Sequence, residues 1–113
     1  MAVEELLEAF SKHASLHHSY TLEGNWRKGN EQIRKINSIF ETIKALEARE
    51  ELLSLINSEK VEVVILAAAY SMKYNPEKCL AKMEELQAME IPHVSSAAKY
   101  AIQNWKRNEW YID

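Results

Sequence analysis

The chain has 113 residues, 47% apolar and 27% charged, with two prolines, two glycines and a formal net charge of −3. That length suits one domain able to bury its own core, and the composition is far from that of a disordered chain. Few turn-formers argue against a sandwich, a barrel or a glycine-built nucleotide loop, and the acidic balance disfavours nucleic acid as the main partner.

The first segment, Val3 to about His18, sets Leu6, Leu7, Phe10, Ala14 and His17 on one side at helical spacing. Glu4, Glu5 and Glu8 occupy its first turns, where carboxylates complement the helix dipole. "SYTLEG" then reads as a joint. The second helix is expected from about Asn25 to Glu47, with a stripe of Trp26, Gly29, Ile33, Ile36, Phe40 and Ile43. That stripe assigns Trp26 to the core. Gly29 costs about 1 kcal/mol of helix propensity against alanine, and close approach by the first helix would explain it. Asn30 and Asn37 flank the stripe, placed either to cap a neighbouring segment or to satisfy loop backbone groups.

A shorter third helix is expected over Ala48 to Ile56, followed by Ser58 as the N-cap of the next. The fourth, about Lys60 to Lys73, is apolar nearly all round: Val61, Val64, Ile65, Ala68 and Met72 form one face, and Val63, Leu66, Ala67 and Ala69 cover the rest. Such a helix belongs between layers, and its alanines argue against a strand. Pro76 marks the start of a fifth helix reaching about Met89, with Leu80, Met83, Leu86 and Cys79 inward. After Pro92 a sixth begins near His93 and carries Val94, Ala97, Ala98, Ala101, Ile102 and Trp105, with "KRNEWYID" extending it by a turn.

Helices three to six repeat weakly at an offset of 30 residues. Leu53 aligns with Met83, Ile56 with Leu86, Val64 with Val94, Ala67 with Ala97, Ala68 with Ala98, Tyr70 with Tyr100, and Met72 with Ile102. Each helix pair would bury its open side on the next, as solenoids do. The expected fold class is all-α, about six helices in stacked antiparallel hairpins, within a single domain over residues 1–113.

Gly24, Asn25, Trp26, Arg27, Lys28 and Asn30 follow the first helix in that order, with Gly29 at a place where alanine is expected. Together with "AAAYSMKYNPEKCL", which supplies Pro76 and Glu77, and "AIQNWKRNEW", which supplies Trp105, they resemble a small bacterial domain-of-unknown-function family, number two-thousand-nineteen. The resemblance spans nearly the whole chain and implies a HEAT-like all-helical fold, a short superhelix. It implies no activity. The chain departs from the HEAT pattern where Val61 is followed by Glu62 instead of arginine.

No catalytic, metal-ligating or cofactor-binding set emerges, and no cofactor is expected. His13 and His17 share a face, but zinc needs three or four ligands and no HExxH is present; ordinary histidines near a helix end is the plainer reading. His93 reads as a capping or surface residue. Cys79 permits no internal disulfide and reads as an inert buried thiol. No serine motif sits on a strand-to-helix turn, and adjacent glutamates diverge around their helices. The start "MAVEELLEAF" lacks the features of a signal peptide, and no apolar run reaches the roughly 20 residues that span a bilayer, so a cytoplasmic location and no membrane partner are expected.

Residues 25–49 hold six basic residues (Arg27, Lys28, Arg34, Lys35, Lys44 and Arg49) against three acidic ones. With Glu31 four residues from both Arg27 and Lys35, this describes either an ion-laced solvated face or a surface for phosphate or an acidic partner. The tail residues Trp110 and Tyr111, near Arg107, form either a lid over the last helix pair or an anchor for a partner. A homodimer through the last helix would bury them too. The candidate interaction surface is therefore Arg27, Lys28, Asn30, Arg34, Arg107, Trp110 and Tyr111. The functional expectation is a non-catalytic protein-binding or scaffold module whose partner is another protein. Alternatives are nucleic-acid or phosphate binding through the second helix, an immunity-type protein, and an enzyme of unknown chemistry.

Overall fold

Every regular element of the computed structural model, which describes residues 2–113, is helical. Six α-helices, α1 (Val3–Glu23), α2 (Trp26–Ala45), α3 (Arg49–Leu53), α4 (Val61–Tyr70), α5 (Pro76–Ala88) and α6 (Val94–Lys106), are joined by short links, and a 3₁₀ turn, Ser54–Asn57, follows α3. The chain divides into two compact units, Met1–Leu52 and Leu53–Asp113.

In the first unit α1 and α2 pair as an antiparallel hairpin. The joint is shorter than "SYTLEG" suggests, because α1 runs on to Glu23. Gly24 ends it at φ +75°, its N–H bonded to the Thr21 carbonyl and that of Asn25 to the Tyr20 carbonyl. This paired closure uses a left-handed residue that glycine adopts without strain. Asn25 starts α2 at once as its N-cap, its side-chain oxygen accepting from the Lys28 N–H at 3.3 Å. The core between the helices is Leu6, Phe10 and Ala14 against Ile36, Phe40 and Ile43.

Two positions on α2 depart from the expected stripe. Gln32 is buried where Ile33 was expected, and Ile33 is only half-buried. The reason lies across the interface, where His13 Nδ1 stands 2.6 Å from Gln32 Oε1 and gives the amide oxygen a partner. Trp26 is 67% exposed instead of core. It is the first residue of α2, at the corner of the hairpin, where the stripe runs out with the helix. Gly29 is buried as expected; a Cβ there would meet His17 Cδ2 at 3.7 Å and Tyr20 Cβ at 3.9 Å.

Without a glycine, α2 closes the same way. Glu47 takes φ 56°, and the N–H groups of Glu47 and Ala48 bond to the carbonyls of Lys44 and Ile43. The third helix, expected over Ala48 to Ile56, is one α-helical turn and one 3₁₀ turn, with Leu53 and Ile56 buried.

The second unit is built around α4. No residue from Val61 to Met72 is exposed; Val63, Val64, Ala67, Ala68, Tyr70, Ser71 and Met72 are buried. It packs on the 3₁₀ turn, α5 and α6. The helix stops at Tyr70, short of Lys73. Ser58 does not occupy its N-cap: Lys60 does, and Ser58 Oγ accepts from the Lys60 N–H at 3.2 Å. Asn75 caps α5 by accepting from the Lys78 N–H at 3.2 Å, with Pro76 in the first turn. Cys79, Met83 and Leu86 are buried and Leu80 half-buried. Ser95 Oγ donates to the Leu86 carbonyl at 2.6 Å and accepts from the Ile91 N–H at 2.7 Å, tying α6 to the end of α5. The tail does not extend α6, because Asn108 takes φ 60° and the Glu109 N–H turns back to the Asn104 carbonyl.

The thirty-residue repeat holds on one face. Five of its pairs, Leu53/Met83, Ile56/Leu86, Val64/Val94, Ala68/Ala98 and Met72/Ile102, are buried at both ends. Ala67 and Tyr70 are buried while Ala97 and Tyr100 are exposed. The second copy therefore presents to solvent the side that α4 covers. The fold is all-α, six helices in hairpins consistent with the HEAT-like class.

Candidate functional site

The first turn of α2 breaks a local rule. Helix N-termini favour acidic side chains, yet this turn holds Arg27 and Lys28 and no acid. Asn25 fixes the turn, and Trp26, Arg27 and Lys28 follow it outward. The Arg27 guanidinium lies 5.5 Å from the centroid of the exposed Trp26 ring. Lys28 Nζ lies 5.8 Å from that of Tyr20, in the last turn of α1. Leu22, also in the last turn of α1, is 58% exposed. The hairpin corner thus combines apolar rings, two cations and the positive end of a helix.

Arg27, Asn30 and Arg34 lie on the face of α2 opposite its buried stripe, and all are exposed. Glu31 shares that face, so the positive charge concentrates at the corner and not along the helix. Trp26 and Tyr20 are the residues the sequence reading misses. The signal for Trp26 is its place directly after Asn25, since a first-turn residue has no preceding turn to cover it.

The remaining candidates, Arg107, Trp110 and Tyr111, belong to the second unit. The Trp110 ring stands edge-on to Trp105, centroids 6.2 Å apart and planes at 74°. Tyr111 leans on Trp110 at 5.8 Å. Trp105 is half-buried, short of the core place expected for it, and Trp110 is half-buried as well; Arg107 is exposed and Tyr111 is 77% exposed. The tail aromatics pack on one another within the chain and leave the last ring open. Tyr70, buried at the end of α4, is pushed up to about 12 by burial and then by Tyr111.

His13 and His17 both turn toward α2, and with α1 continuing to Glu23 they are mid-helix residues. His13 is held by Gln32, and His17 packs by Gly29. Burial, then the neighbouring His18, pushes the His17 imidazole below its usual range. Among the described residues no three His, Cys, Asp or Glu side chains are grouped to hold a metal ion. Burial pushes the Cys79 thiol up to about 11, which suppresses its thiolate. His93 is exposed at the N-cap of α6 without a side-chain capping bond. No described helix is long and apolar enough to cross a membrane.

No family model and no curated protein matches the chain. Among solved structures, the chain is similar to the crystal structure of the protein RPA1889 from Rhodopseudomonas palustris CGA009. The two superpose with a TM-score of 0.91 over 100% of this chain and 95% of that one, at 18% identity. At that identity the likeness establishes the fold alone.

Proposed function

We propose that the chain is a non-catalytic protein-binding module of HEAT-like type, acting in a reducing cytoplasm, and that it docks an acidic, partly apolar surface of another protein at the α1–α2 corner. The observation that carries the reading is Trp26, exposed on the first turn of α2 with the Arg27 guanidinium over its ring. Exposed tryptophan beside arginine is the composition of binding hot spots, and an indole left in water gains most from being covered. Arg27 and Lys28 sit where the helix dipole opposes them, a local cost that an acidic partner would offset. Nucleic acid is less well served, because Glu31 interrupts the basic face and the chain is acidic overall. The motifs from Gly24 to Asn30 and around Pro76 support membership of the domain-of-unknown-function family they resemble.

The test is site-specific photo-crosslinking from position 26 in the native host, compared with position 110. The expected result is one discrete adduct from position 26 that Arg27→Glu abolishes while the helical circular dichroism is unchanged. Identical adduct patterns from both positions, insensitive to Arg27→Glu, overturn the reading.

A further inference from the structure

Beyond the corner, the α1–α2 hairpin carries a second feature that its packing alone does not require. Leu6 and Ala9 of α1 and Ile39 and Thr42 of α2 line an open cavity of about 400 Å³, within the size range of small-molecule sites. Four polar side chains belong to this lining, His13, Lys35, Ser38 and Thr42. The walls are apolar, so a ligand's body would gain by leaving water. Charge is contributed from one side only, by the Lys35 ammonium. Among the described residues no carboxylate lies within ion-pair distance of Lys35, and it is exposed at the rim.

His13 is positioned and not merely present. Gln32, buried on the α2 stripe in place of an apolar residue, offers Oε1 to His13 Nδ1 at 2.6 Å. An amide oxygen only accepts, so Nδ1 is the donor in this contact. A buried amide is a costly way to pack a helix interface when isoleucine stands next to it in the sequence. Fixing the imidazole ring at the edge of a cavity gives that amide a purpose.

We infer that this cavity binds a small monocarboxylate with an aliphatic body. Its chain would lie along Leu6, Ala9 and Ile39, and its carboxylate would meet the Lys35 ammonium. The site is independent of the corner at Trp26, and either can fail without the other. Charge decides the class: a neutral amphiphile would leave the one cation unused, and a cationic one would be repelled by it.

The test is a titration of the ¹⁵N-labelled full chain with octanoate below its micelle concentration, with octanol as the neutral control. Saturable shifts are expected at Leu6, Ala9, His13 and Ile39, with octanol at least about tenfold weaker, as the loss of one charge-assisted hydrogen bond implies. Lys35→Met keeps the apolar stem and should weaken octanoate to the same degree. Ala9→Phe, which fills the cavity, should abolish the shifts while the remaining spectrum is preserved. Absence of saturable shifts overturns the inference, as does octanol binding as well as octanoate or Lys35→Met binding like the parent.

Discussion

His13 Nδ1 lies 2.6 Å from Gln32 Oε1, a polar contact set into the otherwise apolar seam between α1 and α2. Its energetics follow from what each partner is left with when the other is removed. Gln32→Leu leaves the half-buried imidazole N–H without its acceptor and is expected to cost about 1 kcal/mol. His13→Leu exposes the buried amide to the same penalty. The double variant removes both ends together and should recover most of the loss. Urea unfolding of the four proteins measures the coupling, and strictly additive losses would mean that the contact contributes nothing.

The two glycines predict opposite outcomes. At Gly29 a Cβ meets its nearest atoms at 3.7 and 3.9 Å, ordinary contact distances, so Gly29→Ala should stabilise α2 by up to about 1 kcal/mol. At Gly24 there is open space, yet φ is +75°, and Gly24→Ala should destabilise by about 1 kcal/mol through backbone strain alone. Thermal unfolding distinguishes them by the sign of the shift in Tm. Two shifts of the same sign would contradict the conformations assigned here.

Ala67 and Ala97 are matched by the repeat but not by their surroundings. Ala67 is wholly buried on α4, whereas Ala97 is exposed on α6. Ala67→Leu should overpack the second unit and cost about 1–3 kcal/mol. Ala97→Leu adds the same carbons to a surface and should fall within about 0.5 kcal/mol of the parent. Equal losses from the two would show that the side α4 covers is also covered on α6.

These contrasts mark where the sequence is informative. Helix-period spacing locates the buried faces of α1, α2 and α5 because apolar burial is a property of each residue and its own helix. It selects Ile33 over Gln32 because the partner that makes Gln32 tolerable, His13, is nineteen residues away on another helix. It assigns Trp26 to the core because a stripe carries no record of where its helix ends. The start of α5 is legible because Pro76 marks it, whereas the end of α1 at Gly24 is read too early, at about His18, and the turn at Asn108 is obscure because it is left-handed without a glycine. At the candidate site, the exposure of Arg27, Lys28, Asn30 and Arg34 follows from the pattern of α2. Their concentration with Tyr20 and Trp26 at one corner follows only from the pairing with α1.

Burial of two neutral acids in the second unit makes stability fall at high pH. Tyr70 is raised from 10.0 to about 12 by desolvation and then by Tyr111, and Cys79 from 9.0 to about 11 by desolvation. Both groups hold their protons more tightly when folded, so the stabilisation is complete below the unfolded pKa values. It declines from pH 9 as the unfolded thiol ionises, then from pH 10 as the unfolded phenol does, and it is lost as pH passes 11 and 12. Urea midpoints of the parent and a Tyr70→Phe/Cys79→Ala variant should therefore converge between pH 9 and pH 12, because the ionising lysines are common to both. In the folded parent, ultraviolet titration should show a phenolate component near pH 12 that Tyr70→Phe removes. A constant difference in midpoint across that interval, with every phenol ionised by pH 11, would place Tyr70 in water and contradict its position beneath the tail.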